Sequence, residues 1–373
     1  MSAKYCVAVV IGALLIPFSV LGQTRPDWEA EWKQTEEAAK KEGKLSIFLF
    51  QRDNIETAVR AFNKKYPDIK ITTVATSAPQ TGPRIMAERR ANKYLWDICI
   101  CGPTTPYRTF YRANALDPLK PHLILPEVRD ESKWWGGKHF YLDPEGQYIF
   151  VYIGNISAPS IYYNKKLVQP NEVNSYWDLV DPKWKGKMIS IDPTRPGRQR
   201  VGARVLYHMP DLGPEFLRKF YGEMDVALSR NDRQAMDWLA VGKYSICILC
   251  GRITDAKAQG LPLDEFETVR WKENRGLSSG SNGTLVLMNR APHPNAAKLF
   301  INWHLSREGQ MSFQKIMNTA DVEMESMRID IPKDVVPEAY RRKKGVEYIV
   351  MDTPERGDNA PVGKLLKSII RKK

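Results

Sequence analysis

Three features of the chain predict an α/β architecture built on open, doubly wound sheets. First, residues 45–50, 149–156, 188–191 and 244–249 are short, mostly apolar runs, the pattern of strands buried on both faces. Second, helical segments separate these runs, beginning with a strand–helix–strand unit over residues 45–74. Third, the run 188–191 leads directly into Asp192-Pro-Thr-Arg-Pro-Gly. A Pro/Gly loop after a core strand lies where such sheets bind ligands, at their carboxyl edge.

The elements follow in order. Residues 28–41 are rich in Glu, Lys and Ala and predict a helix stopped at Gly43. After the first strand, Asn54 is placed to cap a helix whose Ile55, Val59 and Phe62 share a face. A helix is expected over 81–93, and a third strand over 96–100, ending at Cys101-Gly102-Pro103. A short helix over 107–114, a Pro-punctuated stretch over 116–128 and a turn at 134–138 come next. The strands 149–156 and 160–163 lead to a helical start at Ser175 that breaks at Asp181-Pro182. Beyond the 192–197 loop, helices are expected over 202–224, interrupted at Pro210 and Pro214, and over 233–240. The core strand 244–249 precedes a helix holding Ala256 and Ala258, and Val269 and Trp271 are expected in a return strand. A polar, Gly-rich joint at 278–283 enters the strand 284–288. Residues 294–306 form a strong helix with Ala297, Phe300, Ile301 and Trp303 to bury, and 308–316 continue it. A basic, Pro-marked tail begins at Arg328 and ends in an amphipathic piece at 365–370.

The segments "SIYYNKKLV" and "SYWDLVDPKWKGKMISIDPTRPG" resemble the signature of extracellular solute-binding proteins of bacterial ABC importers. The similarity points to the branch holding ferric-iron-, phosphonate- and thiamine-binding members. "APHPNAAKLFINWHLSREGQ" resembles that family's lobe-closing helix, and "AAKKEGKLSIFLFQRDNIETAVRAFNKKYPDIKITTV" its first strand, helix and second strand. The resemblance implies a two-lobe periplasmic-binding-protein fold of type II. Residues 27–153 and 281–373 would form one lobe and 154–280 the other, joined by crossings at 151–157 and 278–283. It also implies a monomer that captures a small solute by hinge bending and delivers it to an ABC permease in the inner membrane.

The composition suits this reading. The chain has 373 residues, 43% hydrophobic and 27% charged, enough for more than one core. The net charge of +13 is spread along the chain apart from runs at 341–344 and 371–373. No nucleic-acid motif accompanies it, so the charge reads as a solvated basic surface. At the N-terminus, Lys4, an apolar run over 6–21 and Val20-Leu21-Gly22 predict an export signal over 1–22, cleaved after Gly22, and a periplasmic location. Cys6 lies too early for a lipidated cysteine, and Gln23 stands where a lipoprotein would need one.

Catalytic signatures are missing. The sequence has no G-x-S-x-G, H-E-x-x-H, Walker loop or G-x-G-x-x-G after a strand, and its five histidines make no spaced ligand pair. Neither an enzyme activity, a cofactor nor a metal centre is therefore expected. Ferric-binding relatives carry a tyrosine pair after the strand that here reads "YSICILCGRI", and Leu249-Cys250-Gly251-Arg252 occupies that place. A ferric-iron carrier and an exported enzyme on the same fold remain the alternatives. Cys99, Cys101, Cys247 and Cys250 lie on expected core strands and read first as free buried thiols, with a disulfide or a metal site as alternatives.

The candidate binding residues lie just past strand ends: Gln51, Arg52, Thr76, Ser77, Thr104, Thr105, Tyr152, Thr194, Arg195, Arg198, Arg252 and Asn282. Thr194, Arg195 and Arg198 share one loop, whose Gly197 lets the backbone come close. Arginine forks suit oxyanions, and a helix starting near Gln199 would point its positive end there. A carboxylate or phosphonate-like solute is the expectation.

Overall fold

The structure is a computed structural model that describes residues 28–280, 282–318 and 323–370. The export signal at 1–22, the lobe boundary at 281 and the basic end at 371–373 lie outside the described residues.

Two sheets organise the chain. The first holds β1 (Lys44–Phe50), β2 (Lys70–Thr76), β3 (Ile98–Cys101), β5 (Phe140–Tyr141), β6 (Phe150–Val151) and β14 (Thr284–Met288), in the order β2-β1-β3-β14-β6-β5, with β4 (Leu116–Asp117) against β14. The second holds β8 (Ile161–Asn164), β9 (Met188–Ile191), β10 (Ala227–Ser229), β11 (Ile246–Ile248) and β12 (Leu263–Glu265), in the order β10-β9-β11-β8-β12. β1, β2 and β3 are mutually parallel, and β9, β10 and β11 likewise. Each parallel set therefore brings its following loops to one edge. Strands β3, β9 and β11 are buried along their whole length, as their mostly apolar runs require, and the one polar side chain among them, Ser190, is hydrogen-bonded to Tyr221. Each lobe has its own cores, one around Ile47, Phe62, Phe150 and Phe300, another around Ile161, Phe216, Phe220 and Ile248.

The two crossings pair with each other. β7 (Asn155–Ile156) runs antiparallel to β13 (Gly276–Ser278), and β15 (Ile349–Val350) adds a third, parallel strand. The first crossing is further clamped by residues 324–328: Gly154 N donates to Glu325 O at 3.0 Å and Met327 N to Tyr152 O at 2.8 Å. Arg342, fully buried, donates to Gly154 O at 2.9 Å and pairs with Glu325 at 3.3 Å. In the second crossing, a Cβ on Gly283 would collide with the Ser279 carbonyl, so only glycine fits.

Several expectations need correction. The tail does not stay with the first lobe. Helix Ala360–Ile370 buries Val362 and Leu366 in the second lobe's core, because its apolar stripe matches the helices Arg198–His208 and Gly213–Glu223. Val269 and Trp271 fall in and beside a short 3₁₀ turn rather than a strand; the strand lies earlier, at β12. The helix at 294 breaks at Ser306, whose hydroxyl accepts from Gly309 N and starts a second helix, Arg307–Met317. Asn54 makes no side-chain cap; it takes a left-handed conformation, φ 63°.

Candidate functional site

The edge of the first sheet gathers six of the candidate residues. Gln51 N donates to Thr76 O at 2.9 Å, so the loops after β1 and β2 are tied together. Thr76 Oγ1 lies 3.1 Å from Thr81 Oγ1, and Ser77 Oγ donates to Gln80 Oε1 at 2.9 Å. Gln51, Arg52 and the turn behind them line a depression of about 390 Å³. Thr104 and Thr105 lead into the turn Pro106–Tyr111. That turn packs against the helix Ala78–Arg90 at Gly82, where an added Cβ would sit 3.4 Å from Thr105 and 3.2 Å from Thr109.

At the second sheet's edge, three loops are bound into one wall. Asp192 Oδ1 accepts from Thr194 N at 2.9 Å and from Thr194 Oγ1 at 2.6 Å, closing the turn after β9. Arg200 donates to the carbonyls of Pro193 and Thr194. Arg198 reaches Cys250 O at 2.9 Å and Asp232 Oδ1 at 2.8 Å, and the same Asp232 oxygen accepts from Gly251 N at 2.8 Å. Asp232 thus joins the loops after β9, β10 and β11.

This wall revises the expected cation cluster. Arg198 is neutralised by Asp232. Arg252 turns toward its own helix, pairing with Asp255 at 2.9 Å beside a groove shared with Arg233 and Asp237. Arg195 is exposed and holds no ion pair or side-chain hydrogen bond among the described residues. It stands next to the start of helix Arg198–His208, an N-terminus with positive character.

Tyr152 is a core residue, not a cleft residue. It is fully buried, its ring lies 4.6 Å from His304 and 5.4 Å from Phe313, and its hydroxyl donates to Asn282 O. Asn282 is likewise fully buried. Both sit where the crossings enter the first sheet, so sequence distance from a strand end placed them well along the chain and on the wrong side of the backbone.

The sequence reading missed one group. Tyr162 and Glu265 are cross-strand partners at the cleft end of β8 and β12. Burial raises the Glu265 carboxyl above its usual range, while a hydrogen bond from Ser160 opposes the shift. Burial raises the Tyr162 phenol too, with Glu265 adding to it. Tyr340 is pushed up to about 12 by burial and by the charges of Glu323, Glu265 and Glu267. Glu265 is one of three carboxylates in "PLDEFET" and carries no spacing signal of its own; only strand pairing brings it to Tyr162.

The cysteines also divide. Cys99 and Cys101 are buried and free. Cys247 and Cys250 are joined as a disulfide, with Cα atoms 6.0 Å apart, correcting the expectation of free thiols there. β11 ends at Ile248, and Leu249 adopts a left-handed conformation, φ 59°. That turn brings Cys250 back to the face of Cys247, which a continuing strand would not do. Among the described residues, no group of three His, Cys, Asp or Glu side chains is arranged to hold a metal ion, and no helix is long and apolar enough to cross a membrane.

Comparison with known proteins gives this geometry a context. The model of a family described as bacterial extracellular solute-binding proteins matches residues 57–320. A Haemophilus influenzae protein of undescribed function is 24% identical over 287 residues, 73% of this chain and 76% of its own. The spermidine/putrescine-binding periplasmic protein of Escherichia coli is 25% identical over 173 residues, 42% of this chain and 48% of its own. The solved structure of a Trichodesmium protein, IdiA or FutA, with iron and citrate has a TM-score of 0.59 at 19% identity, covering 88% of this chain and 99% of that one. It shares the fold.

Proposed function

The chain belongs to the bacterial extracellular solute-binding protein family, whose model spans well over half of it, and from that premise we propose that it is the periplasmic, solute-capturing component of an ABC importer. The observation that carries this reading is the pairing of the two crossings, β7 with β13, between two sheets that each end in a polar loop cluster. Such a hinge lets two rigid lobes close on a small molecule and reopen at a permease, without covalent chemistry or a cofactor.

The proposed solute carries an anionic group. Arg195 and the N–H groups at the start of helix Arg198–His208 offer donors at the second lobe's edge, where Thr194 holds the loop's turn through Asp192, and Gln51, Arg52, Thr76, Ser77, Thr104 and Thr105 offer polar groups opposite. A cationic solute is the second reading. It is favoured by the carboxylates of Glu265, Glu267 and Glu323 around Tyr340, and it agrees with the name of the Escherichia coli relative.

Native mass spectrometry of the purified protein identifies a retained solute, and calorimetry with that solute then tests the anion site. Arg195→Ala is expected to weaken binding by roughly 1.5–3 kcal/mol, the scale of a charged hydrogen bond, while Arg341→Ala leaves it unchanged. A polyamine in the spectrum, or an Arg195→Ala protein that binds like the parent, overturns the anionic reading. Absence of any melting shift across carboxylates, phosphonates, amines and ferric citrate counts against solute capture itself, since a hundredfold excess over Kd stabilises the native state by about 2.7 kcal/mol.

A further inference from the structure

We propose that residues 349–370 form a strap that latches the two lobes through an ion pair between Arg108 and Asp358. The strap starts in the hinge. Ile349 N donates to Arg275 O at 2.6 Å and Met351 N to Leu277 O at 2.7 Å, adding β15 to the paired crossings. Asp352, half-buried, accepts from the Ser279 backbone N–H and, at 3.3 Å, from Ser278 Oγ. Its charge faces Arg204. Arg204 is 8% exposed and donates Nη1 to Met351 O at 3.1 Å and to Arg356 O. Arg356 in turn reaches Val350 O at 3.1 Å, and Gly357 N closes a turn onto Thr353 O at 2.7 Å.

These contacts hold Asp358 in place against the second lobe. Its Oδ1 also accepts from Ala360 N at 3.1 Å, starting the helix Ala360–Ile370 that is docked through Val362 and Leu366. Arg108 belongs to the other lobe, in the turn Pro106–Tyr111 after β3, anchored by the fully buried Phe110. Arg108 Nη2 lies 3.9 Å from Asp358 Oδ1. Among the described residues this is the one ion pair joining a strand-end loop of the first lobe to the second lobe. The carboxylate comes from the strap and not from a solute, so it acts before any solute arrives.

The pair is about half exposed on both sides. A contact of that kind shifts an equilibrium by at most about fivefold. That is enough to matter where open and closed forms differ little in free energy. The solute-free protein is thereby biased toward the closed form, and ionic strength weakens the bias.

The test uses full-length mature protein without solute. Spin labels on Asp68→Cys and Glu223→Cys, exposed and one on each lobe, report the interlobe distance distribution. Asp358→Asn keeps an oxygen to cap the helix and removes the charge; Arg108→Gln removes the partner. Each single variant is expected to raise the open-to-closed ratio, by up to about fivefold. The double variant should raise it no further than either single one. Added salt should open the parent and leave the variants unmoved. Distance distributions that superimpose on the parent, or a double variant whose effect is the sum of the singles, overturn the latch. Denaturation midpoints matching the parent confirm that the variants are folded. Because no solute takes part, the outcome is independent of the solute-capture reading.

Discussion

His304 sits deep in the first lobe, its ring 4.6 Å from Tyr152, 5.4 Å from Phe300 and 5.1 Å from Phe313. Both ring nitrogens are buried without a hydrogen-bond partner. Burial pushes its pKa down to about 3, because an imidazolium there would lose its hydration with nothing in exchange. Below about pH 6.5 the unfolded chain takes up a proton that the folded chain refuses. Stability is therefore full above that pH and falls as pH drops toward 3, by up to about 1.4 kcal/mol per pH unit. His304→Phe should flatten this dependence: its urea midpoints at pH 5 and pH 7 should lie closer together than the parent's. Equal spacing in the two proteins would show that another group sets the acid limb. Arg342 illustrates the opposite solution to burial. It keeps its charge among Glu325, Gly154 O, Ser326 O and the face of Trp135, 4.8 Å away.

The closing helix Ala360–Ile370 contributes to a lobe from which it is far removed in sequence. Leu366 is fully buried among Phe216, Phe220 and their neighbours. Leu366→Ala should cost about 2–5 kcal/mol, the range for a buried leucine that leaves a cavity, read as a lowered denaturation midpoint. The loop after β11 gives a second prediction at this level. Its disulfide joins Cys247 to Cys250, whose carbonyl receives Arg198. Thiol titration of the denatured mature protein should count two free thiols, from Cys99 and Cys101, and four after reduction. Four before reduction would contradict the bridge.

The two lobes and their three-stranded hinge make a molecule that can change shape without breaking a core. β7, β13 and β15 are short, and the cores on either side share no fully buried residue. Closure on a solute is then a rotation about the crossings. Small-angle scattering should show a smaller radius of gyration at saturating solute than without it. An unchanged radius would mean that the lobes are already closed in the solute-free protein or that they do not move; the salt response of the Arg108–Asp358 pair separates these two cases.

Local chemistry alone was enough for much of this. Mostly apolar runs at 45–50, 188–191 and 284–288 marked buried strands, because a strand covered on both faces has few positions where a polar side chain can stand. Asp192-Pro-Thr-Arg-Pro-Gly marked the loop at the second sheet's edge, because Pro and Gly punctuate the chain wherever they stand. What the residues of that loop face was not written there. Arg198 looks like a free cation until β10 brings Asp232 beside it, and Tyr152 looks like a cleft residue until the crossing turns it onto His304. Glu265 is unremarked until it pairs with Tyr162, and Cys250 points away from Cys247 until Leu249 turns left-handed. The tail's lobe was likewise open, since an amphipathic helix states that one face must be covered and not which partner covers it. Propensity and pattern act over a few residues, whereas charge pairing and burial act between segments far apart in sequence, 34 residues for Arg198 and Asp232, and only the folded chain brings those segments together.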